Sequence, residues 1–201
     1  EIKETIERLG LHPNRRLGQN FLVSREAREK IVGAMECAAP DRVLEIGPGL
    51  GSLTGLLVER AGHVTAVEID AGFCRYLADR FGGRENFTLV HGDFLKNQPA
   101  DTFTKIVSNL PYYCSSEILF QVTRYRAPLV YVMLQKEVAE RITAEPGSKS
   151  YGALTVTLGF YYEARRLLTL PRESFYPRPD VTSSFLVLSR RPSLSLDGDG
   201  V

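Results

Sequence analysis

The feature that most restricts the fold is a run of alternating glycines, Gly47-Pro48-Gly49-Leu50-Gly51. It is wedged between a short β-rich stretch at residues 42–46 and a helical stretch at 52–61. Glycines at a strand-to-helix turn let the backbone approach a ligand closely, and the following helix start offers unpaired N–H groups. Downstream the same alternation continues. Residues 63–69, 87–90, 105–108 and 129–134 read as strands, and 71–81 and 115–125 as helices. Alternating β and α units give a mostly parallel sheet with helices on both faces. Upstream, residues 1–9 and 25–38 read as helices, the second started by Ser24 as N-cap. Beyond Pro146-Gly147 a helix is expected at 151–161 and strands at 166–170 and 184–188. Two late strands with no long helix between them predict an antiparallel pair at the sheet edge.

A chain of 201 residues with 43% hydrophobic content supports one α/β domain with a substantial core. No apolar run reaches the roughly 18 residues of a membrane span, so no membrane partner is expected. Cys37, Cys74 and Cys114 are odd in number and widely spaced. That suits reduced thiols in the cytoplasm and argues against a disulfide framework or a bound metal. The net charge is +1, but residues 121–191 hold most of the excess of Lys and Arg. Arg141, Lys149, Arg165 and Arg166 are the candidates there for holding phosphate.

Glu68 closes the strand after the glycine loop, where a carboxylate accepts hydrogen bonds from ribose hydroxyls. Glycine loop and acidic residue together point to an adenosine-containing cofactor. Two details favour S-adenosylmethionine over a dinucleotide. The loop is shorter than the Gly-x-Gly-x-x-Gly spacing, and Glu45 beside it suits a cation better than a pyrophosphate. Asp93, after the strand at 87–90, is placed to accept from an adenine amino group or, alternatively, to cap a turn.

Asn109-Leu110-Pro111-Tyr112 follows the fourth strand of the alternation. An exocyclic adenine amine is a poor nucleophile because its lone pair is delocalised into the ring. Two acceptors, the Asn109 side-chain oxygen and the Leu110 carbonyl, can hold both amine hydrogens and free the lone pair. Pro111 fixes the backbone so that the carbonyl faces inward. Tyr112 offers a ring on which an unstacked base can lie.

On these residues the chain resembles the small-subunit ribosomal RNA adenine dimethyltransferases, the KsgA/RsmA family. The likeness extends from Gly18-Gln19-Asn20-Phe21-Leu22 to Phe175-Tyr176-Pro177-Arg178-Pro179-Asp180-Val181. It includes the blocks at 133–141 and 146–152. The resemblance implies a Rossmann-like S-adenosylmethionine-dependent methyltransferase fold. It implies that Asn20, Leu22, Gly47, Gly49, Glu68, Asp93 and Asn109 contact the cofactor. Tyr112 and Phe175 would stack on a flipped adenosine, and methyl transfer would be direct, without a metal. The implied substrate is a pair of adjacent adenosines near the 3′ end of small-subunit RNA within a pre-ribosomal particle, and the protein is expected to act as a monomer. Residues 1–191 are expected to form the catalytic domain with its N-terminal helices and 192–201 a flexible tail, without the family's further C-terminal helical domain. Where the family commonly carries Asn-Ile-Ser after the Asn-Leu-Pro-Tyr motif, this chain has Tyr113-Cys114-Ser115.

Three other readings stay open at this point. A large-subunit RNA adenine methyltransferase of the macrolide-resistance type shares the cofactor motifs. A non-catalytic nucleic-acid-binding relative is disfavoured by the intact Asn109 and Tyr112. A dinucleotide-dependent oxidoreductase is disfavoured by the loop spacing.

Overall fold

The computed structural model describes residues 5–6, 19–111 and 113–192. Tyr112, most of the expected first helix and the expected tail after 192 lie outside these residues. The strands are β1 (Phe21–Leu22), β2 (Arg42–Ile46), β3 (His63–Glu68), β4 (Phe87–His91), β5 (Lys105–Asn109), β6 (Leu129–Gln135), β7 (Tyr162–Leu170), β8 (Phe175–Tyr176) and β9 (Ser183–Arg190). The helices are α1 (Arg25–Met35), α2 (Thr54–Leu57), α3 (Ala71–Phe81), α4 (Ser115–Val122), α5 (Lys136–Ile142) and α6 (Ala153–Tyr161).

Seven strands form one sheet in the order β4-β3-β2-β5-β6-β9-β7. β4 to β6 run parallel, and β9 lies antiparallel between β6 and the edge strand β7. The order reverses between β2 and β5, and ligands in open α/β sheets bind outside the carboxyl ends of the strands at such a switch point. The expected mostly parallel sheet with an antiparallel edge is what the structure has.

Strand alternation divides the core into two layers. Val43, Val64, Val107, Tyr131 and Phe185 point to the face covered by α1, α2 and α3. Leu44, Ile46, Ile106, Val130 and Leu186 point to the face covered by α4, α5 and α6. The helix starts are written locally. The Ser24 hydroxyl accepts from the Ala27 N–H at 3.2 Å, and the Asp70 carboxylate caps α3 through Gly72 and Phe73 at 2.7 and 3.1 Å. Such caps each contribute about 1 kcal/mol.

Four elements depart from the sequence reading. The helix expected over 52–61 shortens to α2, because three left-handed glycines precede it and Gly55 lies inside it. β7 begins at Tyr162, four residues early. Its Tyr-Glu-Ala-Arg-Arg start has no strong strand signal, and pairing with β9 draws it into the sheet. α5 was not anticipated. It follows β6 without an intervening loop, so no turn residue marks its start. Nor was the short antiparallel pair of β1 with β8, which joins residues more than 150 positions apart.

Candidate active site

A cavity open to solvent lies at the carboxyl ends of β2, β3, β5 and β6. Its floor is the glycine loop, in which Gly47, Gly49 and Gly51 all have positive φ, at 69°, 55° and 71°. At Gly49 the requirement is double: a Cβ there would also meet the Phe21 ring at 3.0 Å. Phe21 is held by the β1–β8 pair and sits edge-on to Phe73 at 5.2 Å, so this small aromatic cluster forms the adjoining wall.

Glu68 lines the cavity and is 4% exposed. The Gly49 N–H donates to one of its oxygens and the Asp70 N–H to the other, both at 2.9 Å. The cap residue of α3 and the glycine loop therefore fix one carboxylate between them. A carboxylate has about four acceptor positions, so two remain for ligand hydroxyls. Burial raises the pKa of Glu68, against the pull of the backbone N–H groups of Asp70, Gly49 and Ile69. Glu45 lies deeper in the same wall at 3% exposure. Burial pushes its carboxyl up to about 7. The Thr54 hydroxyl, donating at 2.6 Å, opposes this, and the neighbouring Glu68 charge adds to it.

Two buried carboxylates on one cavity, with no basic side chain among the described residues lining it, fit a ligand that is cationic and rich in hydroxyls. S-adenosylmethionine has both properties. A dinucleotide would bring its pyrophosphate against like charge.

Asn109 ends β5 and lines the same cavity. Its side-chain N–H donates to the Asn20 carbonyl oxygen at 2.8 Å. A backbone carbonyl can only accept, so the NH2 end of the amide must face Asn20, and Oδ1 is the other end. The amide's orientation is thereby set by a residue 89 positions away. Pro111 and Leu22 also line the cavity. Leu110 is buried, its N–H donating to the Met133 carbonyl at 3.1 Å.

Three expected site residues among those described lie off the lining: Leu110, Phe175 and Asp93. Phe175 is 4% exposed and sits in the core with Leu22, Leu170 and Phe185. The cause is alternation in β8: Phe175 pairs with Leu22 on the core side, and Tyr176 pairs with Phe21 on the other. Asp93 caps the turn after β4, accepting from the Leu95 N–H at 3.0 Å, and stands beside the cavity near Tyr113 and Cys114. Tyr112 is outside the described residues. The sequence reading missed Thr54, Ile69, Phe73 and Tyr113. Ile69 and Tyr113 adjoin recognised residues, whereas nothing local marks Phe73. Of the basic candidates, Arg141 is exposed on α5, Lys149 in the turn before α6, and Arg165 and Arg166 on the edge strand β7.

The sheet order, the glycine loop and the acidic cavity at the switch point define a Rossmann-like methyltransferase of the S-adenosylmethionine-dependent class. The chain belongs to the ribosomal RNA adenine dimethylase family, which it matches over residues 10–198. It is 39% identical to ribosomal RNA small subunit methyltransferase A of Geobacillus kaustophilus, over 99% of this chain and 72% of that protein. It is 35% identical to the protein of the same name from Natranaerobius thermophilus, over 99% and 74%. Among solved structures, a dimethyladenosine transferase from Plasmodium falciparum superposes with a TM-score of 0.79 at 30% identity, over 85% of this chain and 63% of that one. The 23S rRNA methyltransferase ErmE superposes at 0.76 with 31% identity, over 85% and 70%.

Proposed function

We propose that this chain transfers methyl groups from S-adenosylmethionine to the exocyclic amines of two adjacent adenosines near the 3′ end of small-subunit ribosomal RNA. The product is dimethyladenosine, made in the cytoplasm on a pre-ribosomal particle. The observation that carries the chemistry is the Asn109 amide, held through its NH2 end by Asn20 beside an acidic cavity. The choice of small- over large-subunit RNA follows the relatives that align over nearly the whole chain.

When bound, S-adenosylmethionine supplies an electrophilic methyl group on a sulfonium. The residues do the rest. Glu68 takes the ribose hydroxyls on its two remaining acceptor positions. Glu45 places negative charge near the cation. Asn109 Oδ1 and the Leu110 carbonyl accept the two amine hydrogens, which turns the nitrogen lone pair away from the ring and toward the methyl. Orientation of this kind reduces the barrier because the reacting atoms need no further search. The amine gives up a proton with each transfer, and after the first transfer one hydrogen remains to be held.

The test is incubation with pre-ribosomal particles and S-adenosylmethionine, followed by mapping of dimethyladenosine in both subunit RNAs. The expected result is modification of small-subunit RNA alone, lost in Asn109→Ala while that variant still melts cooperatively. Near-normal turnover in Asn109→Ala would refute the two-acceptor account, and large-subunit modification would refute the target.

A further inference from the structure

Tyr113 is the residue at which this chain leaves the family's common Asn-Ile-Ser sequence, and it lines the candidate cofactor cavity. Two side chains on that lining are large, apolar and exposed: Ile69 at 44% and Tyr113 at 56%. Exposed apolar surface at the mouth of a cavity is what a flat ring covers on binding.

The positions of the two suggest which ring. Ile69 directly follows Glu68, the residue proposed to hold the ribose, so it stands at the nucleoside end of the cavity. Tyr113 lies close enough to Asp93 and Cys114 for their charges to act on its phenol. Asp93 follows β4, on the far side of β3 and β2 from Asn109 in the sheet order. An adenosine with its sulfur-bearing end at Asn109 and its ribose on Glu68 would carry its purine past Ile69 toward Asp93, the carboxylate that acts on Tyr113. The phenol also suits a wall beside two carboxylates. A phenol is neutral at physiological pH, so it brings no charge against them.

We propose that Tyr113 is a positioning residue for the cofactor, its ring closing one side of the purine slot opposite Ile69. The proposal rests on the S-adenosylmethionine reading above. It assigns Tyr113 to the cofactor and not to the target base.

Calorimetry with S-adenosylhomocysteine on the parent, Tyr113→Ala and Tyr113→Phe tests it. Losing the ring should weaken affinity roughly tenfold, in keeping with the usual contribution of aromatic stacking on a base. Tyr113→Phe should stay within about twofold, because stacking does not need the hydroxyl. At saturating cofactor, KM for pre-ribosomal small subunits should be the same in all three. The chain has no tryptophan, so Tyr113→Trp gives a single indole at the slot. Its fluorescence should change on adding S-adenosylhomocysteine, saturating at the calorimetric Kd. Unchanged affinity in Tyr113→Ala, or a silent indole, overturns the proposal. A raised KM for the particle with constant cofactor affinity also overturns it, placing the ring against RNA. A parent that does not bind S-adenosylhomocysteine overturns the cofactor reading itself, and the proposal with it.

Discussion

Replacing Glu45 with Gln should make the cofactor-free protein more stable at high pH and less able to hold a cation. The substitution keeps the shape of the side chain and an oxygen to accept from Thr54, but it removes the ionisable group. In the parent, burial of the Glu45 carboxyl at 3% exposure lifts its pKa from 4.5 to about 7. Unfolded, the group ionises near 4.5; folded, it resists until about 7. Between these values the native state binds more protons, so parental stability is highest below about 4.5 and falls as pH rises, levelling above 7. The difference is about 3 kcal/mol at about 1.4 kcal/mol per pKa unit. For a chain of this size each kcal/mol moves Tm by roughly 2–4 °C. Melts of both proteins at pH 5, 6, 7 and 8 should therefore start close together and separate by several degrees, with Glu45→Gln the more stable. A cation beside Glu45 favours its charged form. Affinity of the parent for S-adenosylmethionine should then rise with pH up to about 7 and level above it, while that of Glu45→Gln stays flat. A constant Tm difference from pH 5 to 8 would refute the buried-charge account.

Glu68→Ala should lose two charge-assisted hydrogen bonds to the ribose, on the order of 1.5–3 kcal/mol each. Unchanged calorimetric affinity for S-adenosylhomocysteine in the folded variant would remove Glu68 from the site. Gly51→Ala should lower the urea midpoint, since φ is +71° and the new Cβ would lie 2.8 Å from Phe81 Cε2; strain and overpacking together cost about 1–3 kcal/mol, and an unaltered midpoint would contradict this. Neutralising Arg141, Lys149, Arg165 or Arg166 should reduce the salt slope of RNA binding by about 1 for each phosphate no longer neutralised, and leave cofactor affinity alone. A variant with an intact slope would show that its residue touches no phosphate.

The glycine loop and the acidic residue that line the cavity were legible because their signals are local. A strand, a glycine turn and an acidic strand end lie within about twenty residues of each other, and each follows from backbone geometry or hydrogen-bond capacity at its own position. The parallel sheet was legible for the same reason, through its alternation of periods. Four things depended on tertiary contact. The Asn20 carbonyl orients Asn109 only because the chain before β1 passes over the end of β5. Phe175 is core and not cavity because β8 happens to pair with β1, and one residue of register in so short a strand exchanges the two faces. Thr54 meets Glu45 because α2 folds back over the end of β2. The shift of Glu45 to about 7 needs the whole surrounding layer, since no neighbour in sequence can tell a carboxylate whether water reaches it. Residue type and spacing determine which groups are available to the chemistry. Burial and pairing between distant segments determine which of them meet the ligand, and in which charge state.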